Sequence, residues 1–177
     1  GGHLLLSQAD KEQLLDEEPG AAKFIRPLLG AEEFINGIPR WCLWLTDASA
    51  TELRSLPKVM ERIDGVRRHR LSSTRATTRE LADTPRLFGE DRQPSCRYLA
   101  IPSVSSERRN YVPMAFLEPT TIANNLLLLI PHAMLFHFGV LTSAISMAWV
   151  RVVAGRLKSD YRYSNKLVYN NYPWPEP

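Results

Sequence analysis

Residues 119–150 contain no charged side chain, and this long neutral run most constrains how the chain can fold. A membrane-spanning helix would need about 20 unbroken apolar residues. The run is interrupted by Pro119, Asn124, Asn125, Pro131, His132, His137 and Gly139. Its uninterrupted pieces are too short to span a bilayer, so we expect no membrane partner. The run instead predicts a buried strand at 126–130 and a long, largely buried helix near 139–155.

Elements before this run are short and punctuated by proline. Strands are predicted at 41–45, 97–101 and 111–117. Helices are predicted at 7–18, capped by Ser7, and from Ser49 through Val66 with a break at Pro57, followed by a short helix at 75–82. The stretch 24–38 mixes apolar residues with glycine and predicts a loop with a short turn. Together these elements predict an α+β fold: a small, mostly antiparallel sheet with flanking helices.

The two cysteines are too few for a disulfide framework, and Cys42 lies inside an apolar stretch where a buried thiol is expected. We therefore expect a cytoplasmic protein. The chain starts Gly1-Gly2-His3, without a signal peptide, which favours a piece of a longer protein.

Charge is unevenly distributed along the chain. Residues 1–66 carry 7 basic and 11 acidic side chains, whereas residues 67–109 carry 10 basic and 5 acidic ones, and all ten cations are arginine. Arginine favours bidentate contact with phosphate or guanine. A solvated arginine-rich helix face is the alternative.

Motifs for independent catalysis are missing from the sequence. His132 and His137 are five residues apart without a third ligand in register, whereas a zinc site needs three or four ligands. No nucleophile elbow, phosphate-binding loop or dinucleotide fingerprint occurs. We expect a chain without catalytic, metal-binding or cofactor-binding residues of its own.

A polar, basic loop separates two of the predicted strands, and it is expected to be hairpin-like. It contains Ser105-Ser106-Glu107-Arg108-Arg109. Arginines on such a loop can reach base edges or phosphates, serine hydroxyls can bind phosphates, and Glu107 can accept from cytosine or orient an arginine neighbour. A surface salt-bridged turn is the alternative.

The closing segment 156–175 combines basic residues with four tyrosines, one tryptophan, three asparagines and a single carboxylate. This mixture is typical of a nucleic-acid-binding surface. Lys158, Arg162 and Lys166 are spaced by four, so a helix or a strand would place them on one face, whereas a strand would put Tyr161 and Tyr163 on the other. Solvated charge over a tyrosine-rich core strand is the alternative.

Several blocks, in order over nearly the whole chain, carry a family resemblance. They lie at residues 24–27, 30–37, 40–45, 97–102, 105–109, 137–143, 155–164 and 169–175, the last being Tyr169-Asn170-Asn171-Tyr172-Pro173-Trp174-Pro175. In these blocks the chain resembles the C-terminal target-recognition region of MmeI-like DNA methyltransferases, the single-chain restriction–modification enzymes that modify adenine.

The resemblance implies a division of labour within a longer enzyme. An upstream domain would bind S-adenosylmethionine and carry an Asn-Pro-Pro-Tyr-type motif, and no Asn-Pro-Pro occurs in these 177 residues. The recognition region would dock double-stranded DNA while the target adenine is flipped. Residues 1–45 would then be an N-terminal helix and connecting arm to the methylase core, and residues 46–177 the DNA-binding target-recognition domain.

The sequence thus predicts a non-catalytic DNA-binding domain of a site-specific adenine methyltransferase. The predicted DNA contacts are Ser105, Ser106, Arg108, Arg109, Lys158, Tyr161, Arg162, Tyr163, Asn165 and Lys166. Arg108 and Arg109 are expected at base edges or close phosphates, and Lys158, Arg162 and Lys166 at phosphates. Trp174, between two prolines, is expected to pack the chain end. The alternative is a protein-interaction module that docks the methylase to a partner subunit through the exposed aromatics of the closing segment.

Overall fold

The structure, a computed structural model, describes residues 2–176 and divides them into two compact units. The first unit holds the residues up to Leu28 together with Pro39–Arg92, and the second holds Leu29–Ile38 together with the residues from Gln93 onward. The boundary expected at residue 45 separates a connecting arm from a DNA-binding domain. The division into compact units does not test such a functional boundary, so it stays a prediction.

The first unit is mainly helical. Its elements are β1 (Leu5–Leu6), α1 (Gln8–Glu17), β2 (Ile25–Leu29, whose last residue belongs to the second unit), β3 (Trp41–Leu43), α3 (Ala50–Arg54), α4 (Pro57–Leu71) and α5 (Ala76–Glu80). Strands β1, β3 and β2 lie side by side in that order and pair antiparallel. The core between helices and strands includes Leu4, Leu6, Leu43, Leu45, Val59, Ile63 and Val66.

The helix starts in this unit follow the predicted caps. Ser7 and Asp10 form a reciprocal capping box at α1, and Ser49 and Glu52 do the same at α3. These hydroxyls and carboxylates satisfy backbone amides that the first turn leaves without partners. Pro57 occupies the first position of α4, where its missing amide hydrogen costs nothing. The predicted helices around Ser7 and Ser49, with the break at Pro57, are confirmed.

The prediction of a loop across 24–38 is wrong. Residues 25–29 form β2 because β3 supplies a partner, with Ile25 opposite Leu43. The next residues form α2 (Ala31–Asn36), whose ends are defined by two glycines. Gly30 donates its amide to the Glu33 carboxylate at 2.9 Å, and Gly37 closes the helix at φ 65°. The glycines therefore delimit a helix instead of breaking one.

The second unit carries two small antiparallel sheets and three helices. After α2 its elements are β4 (Tyr98–Pro102), β5 (Val104–Ser105), β6 (Ala115–Leu117), β7 (Ile122–Ala123), β8 (Leu127–Pro131), α6 (Leu135–Leu141), α7 (Ala144–Val153), β9 (Gly155–Leu157), β10 (Asp160–Arg162) and a π-helix at Asn165–Tyr169. One sheet has the order β6-β4-β8 and the other β5-β10-β9. Strand β4 is buried along its whole length. The α+β prediction and the strands near 97–101 and 126–130 are confirmed.

The single long buried helix expected near 139–155 needs correction. Two helices, α6 and α7, occupy this stretch, bent by 57° at a break around Thr142 and Ser143. The break arises because Ser143 caps α7, accepting from the Ser146 amide at 3.1 Å. Only one face of α7 is buried, since Met147 and Val150 lie in the core whereas Ile145 is exposed.

No single helix among the described residues is both long and apolar enough to cross a membrane. Together α6 and α7 reach the required length and composition, but only as the bent pair.

Candidate nucleic-acid interface

The β5-β10-β9 sheet brings together the two segments that the sequence singled out. Strand β10 pairs antiparallel with β5, with Tyr161 opposite Ser105. The amide of Tyr163 donates to the carbonyl of Ser103 at 2.9 Å and extends this pairing by one residue. The start of the predicted hairpin-like loop therefore pairs with the closing segment and not within itself.

Alternation along β10 separates buried rings from an exposed cation. Tyr161 and Tyr163 are 6% and 2% exposed, whereas Arg162 between them is exposed. Burial raises the pKa of the Tyr163 phenol, and the neighbouring tyrosines 169 and 172 raise it further. The sequence left open whether these tyrosines face DNA or the core, and the structure shows both in the core. Their contact with DNA stays a prediction.

Ser105 is also buried. Within residues 2–176, its hydroxyl oxygen has no hydrogen-bond partner. Cross-strand partners share a face of a sheet, so Ser105 lies on the same face as Tyr161. The opposite face carries Arg162 and Leu157, both exposed to solvent.

The predicted cations lie on this sheet or close to it in the chain, and they are exposed or half-buried. Lys158 occupies the two-residue turn between β9 and β10 with φ 56°, Arg162 lies on β10, and Lys166 lies in the π-helix. These three do not share one regular element, so the single row expected from their spacing is absent. Arg108 is exposed and Arg109 half-buried. In the part of the chain that the structure describes, none of the five forms an ion pair.

The remaining predicted residues hold local turns. The Ser106 hydroxyl accepts from the Arg108 amide at 3.3 Å, and the Ser106 carbonyl accepts from the Arg109 amide at 3.1 Å. Both contacts fold residues 106–109 into a compact turn, which fixes the backbone positions of Arg108 and Arg109. The Asn165 side-chain oxygen accepts from the Lys166 amide at 2.8 Å at the start of the π-helix.

Arg156 joins the loop to the hairpin, a role that the sequence did not reveal. Its guanidinium lies 4.0 Å from the centroid of the Tyr161 ring, donates to the Ser159 carbonyl at 2.8 Å, and lies 3.5 Å from the Glu107 carboxylate. Arg156 and Tyr161 are direct partners across β9 and β10. The arginine that contacts Glu107 is therefore not Arg108 or Arg109 but Arg156, about fifty positions later in the chain. This contact depends on the pairing of β9 with β10, which the sequence alone does not reveal.

The aromatic end of the closing segment packs on itself and on α7. Trp174 makes edge contacts with His137, Tyr169 and Tyr172 at centroid distances of 5.4 to 5.8 Å. The Trp149 indole donates to the Val168 carbonyl at 2.9 Å, which ties the π-helix to α7. Burial raises the pKa of Tyr169. The prediction that Trp174 packs the chain end is confirmed.

Several arginines of the basic middle stretch support the fold of the first unit. Arg70 is only 4% exposed and donates to the carbonyls of Leu81, Thr84 and Leu87 at 2.7 to 2.9 Å. Arg86 donates to the carbonyl of Ala48 at 2.7 Å. The guanidinium fork suits such multiple backbone contacts, so part of the arginine excess serves structure.

The described residues hold no group of three or more histidine, cysteine or acidic side chains that could bind a metal ion. Burial raises the pKa of the Cys42 thiol to about 12, although Arg26 opposes the shift. Cys96 is free, and its sulfur lies 3.6 Å from Nε2 of His132. The raised pKa keeps Cys42 protonated at neutral pH, so this thiol is not an activated nucleophile.

Comparison with known proteins identifies the family. The family described as the target recognition domain of MmeI matches residues 1–176. DNA methyltransferase A of Bacillus subtilis (strain 168) is 40% identical over 176 residues, covering 99% of this chain. The type IIL restriction-modification enzyme MmeI, whose structure is known in complex with DNA, is 43% identical in sequence. Its structure matches 99% of this chain with a TM-score of 0.95. The chain spans 20% of the first relative and 24% of the second. It belongs to the MmeI target recognition domain family.

Proposed function

We propose that this chain is the DNA-binding part of a site-specific DNA adenine methyltransferase of the restriction–modification type. The β5-β10-β9 sheet and the turn at 106–109 form the contact surface. Arg108 and Arg109 contact base edges or nearby phosphates, and Lys158, Arg162 and Lys166 neutralise phosphates. Ser106 and Asn165 add hydrogen-bonding groups at the two ends of this surface.

The pairing of β5 with β10 is the observation that carries the proposal. It joins two segments about fifty residues apart into one exposed surface, and cations without ion pairs surround it. An unpaired guanidinium or ammonium gives up only water contacts and side-chain freedom when it binds a phosphate, whereas a paired one must also give up its carboxylate. The relative solved in complex with DNA shares this fold over 99% of the chain, which supports the same partner.

The open face of the sheet suits a close approach to DNA. Gly155 lies opposite Arg162, and a Cβ at this glycine would be 4.0 Å from the Cβ of Arg162. Gly155 places no side chain beside Arg162, so a phosphate can approach the backbone there. Tyr161 and Tyr163 support this face from the buried side.

The methyl transfer itself belongs to the rest of the parent polypeptide. There an upstream methyltransferase domain would hold S-adenosylmethionine, the methyl donor, and would take the flipped adenine. Residues 1–45 would connect the recognition domain to that upstream core, and the enzyme would act in the cytoplasm. The relative named as a DNA methyltransferase supports this assignment.

A salt titration tests the proposal. Each phosphate contact lowers the slope of log affinity against log salt by about 0.9, so Arg162→Ala is expected to make the slope shallower by about 0.9. Binding of a short duplex to the 177-residue chain would be followed by fluorescence anisotropy between low and moderate salt. Arg54→Ala is the matched control, because Arg54 is an exposed arginine of α3 outside the proposed surface. Equal slopes for both variants would contradict the phosphate role of Arg162.

A second candidate is an interaction module for a partner subunit. The aromatics of the closing segment do not favour it, since they pack against each other. The exposed side of α7 does, because Ile145 and Val152 are seven residues apart on one helix face and both are exposed. Ile145→Ser combined with Val152→Ser should leave duplex binding unchanged. A loss of partner association in size-exclusion chromatography, without any loss of DNA affinity, would favour this second role.

A further inference from the structure

We propose that a small pocket formed by Asn110, Tyr111 and one face of α7 binds a single unstacked DNA base together with an adjacent phosphate. This inference rests on the proposed DNA-binding function, and it adds a site outside the surface described above. The pocket follows Arg109 directly in the chain, so it lies next in sequence to the turn that carries the proposed contacts.

The pocket is open to solvent and combines an apolar floor with polar walls. It is lined by Asn110, Tyr111, Ala144, Met147 and Arg151, and its volume is about 180 Å³. The three α7 residues lie at positions i, i+3 and i+7 and therefore share a face of the helix. Met147 is 4% exposed and belongs to the core, so it gives the pocket an apolar floor that is held in place.

Tyr111 has the environment of a binding residue and not of a packing residue. Its side chain is 49% exposed, although the neighbouring Val112 is buried and anchors the backbone. Among the described residues it makes no ring contact with another aromatic side chain. An exposed, anchored tyrosine offers a flat face on which a base can stack with little loss of side-chain freedom.

The polar wall groups match a nucleotide. The Asn110 amide can donate and accept at once, which suits the edge of a base. Arg151 is exposed and, within residues 2–176, forms no ion pair, so its guanidinium is available for a phosphate. Ring, amide and cation around an apolar floor are the groups that hold a base and its phosphate together.

The size of the pocket restricts the ligand to one ring system. Pockets for drug-sized molecules are about 300–1,000 Å³, and this one is smaller. Bases within a paired duplex are covered by their neighbours, so only a base that has left the stack can enter. An acidic or aromatic side chain of another polypeptide is the competing occupant.

Two duplexes that differ by one unpaired adenine provide the test. The unaltered 177-residue chain is expected to bind the duplex with the unpaired base about tenfold more tightly, in line with the contribution of one stacked base. Ala144→Leu should abolish this preference because the larger side chain fills the pocket. Ala148→Leu is the matched control, since Ala148 is exposed on the same helix but does not line the pocket. Tyr111→Phe keeps the ring and should retain the preference, and Tyr111→Leu should lose it.

Three results would overturn the inference: no preference in the unaltered chain, a preference that survives Ala144→Leu, or an equal loss in both alanine variants. Failure of the proposed contact surface is separable from failure of the pocket. If Arg162→Ala leaves binding to the paired duplex unchanged while Ala144→Leu removes the preference, the pocket stands and the contact surface fails. If Arg162→Ala weakens binding to the paired duplex while Ala144→Leu leaves the preference unchanged, the pocket is rejected and the contact surface stands. Thermal unfolding of each variant checks that it is folded.

Discussion

Two arginines of the first unit and two of the second have different surroundings and serve different purposes. In the first unit, Arg70 and Arg86 donate hydrogen bonds to backbone carbonyls, and Arg70 is almost fully buried. In the second unit, Arg108 and Arg162 are exposed and hold no carboxylate among the described residues. Charge counted along the sequence treats all four alike. The difference shows that a basic stretch indicates a binding surface only after its structural arginines have been set aside.

The largest expected effect separates the buried arginines from the exposed ones. Arg70→Ala leaves three carbonyls without their donors, and we expect the free energy of unfolding to fall by about 3 kcal/mol. Urea unfolding measures this. Arg68→Ala is the matched control on α4, because Arg68 is exposed, and it should change stability by less than about 0.5 kcal/mol. Similar losses in both variants would remove the distinction.

A second experiment tests whether the exposed arginines read sequence or only position DNA. Arg108→Ala is expected to reduce discrimination at one base pair by about 1–3 kcal/mol, if this arginine contacts a base edge. Binding to a set of duplexes with single base changes measures it. The Arg162→Ala variant should weaken binding to all of them uniformly. Uniform weakening by Arg108→Ala would reassign it to the phosphates.

The buried tyrosine that directly follows β10, Tyr163, gives a pH-dependent prediction. Burial raises the pKa of Tyr163 above its ordinary value of 10.0, so the folded state holds its proton longer than the unfolded state does. The stability that this provides is present below pH 10 and is lost as the pH rises through the raised pKa, by up to about 1.4 kcal/mol for each pH unit. Unfolding measured from pH 9 to 11 should show this decline, and Tyr163→Phe should flatten it. An unchanged slope in that variant would assign the decline to other groups.

The smallest expected effect concerns the link between the loop and the hairpin. Arg156→Lys keeps a positive charge near Glu107 but loses the planar contact with Tyr161, and exposed contacts of this kind contribute about 0.5–1 kcal/mol. Stability should therefore fall only slightly. Discrimination between DNA sequences should fall more clearly, because a lysine without the planar contact with Tyr161 is held less firmly beside Glu107 and anchors the turn at 106–109 less well. If both stay unchanged, Arg156 does not position the loop.

Local signals in the sequence predicted the local features of the fold. The capping residues Ser7 and Ser49 fixed the starts of two helices, and Pro57 fixed the start of a third. Apolar stretches bounded by proline located β4 and β8. The loop predicted across 24–38 was wrong because β2 depends on a partner strand, which local pattern does not reveal.

The candidate site shows the same limit. Spacing indicated that Arg162 and the two adjacent tyrosines would point in opposite directions in a strand, and this is confirmed. Which side faces the core depends on the pairing of β10 with β5, whose residues are about fifty positions earlier. For the same reason the contact of Arg156 with Glu107 could not be predicted, since it exists only once the hairpin has docked on the loop.

The tight turn at Lys158 and Ser159 has a consequence for how such a domain can change over evolutionary time. Because only two residues connect β9 to β10, an insertion or deletion there would shift the pairing and exchange inward with outward side chains. Point substitutions at outward positions such as Leu157 and Arg162 leave the buried tyrosines in place. New binding preferences can therefore accumulate on this hairpin one residue at a time, without a matching repair of the core.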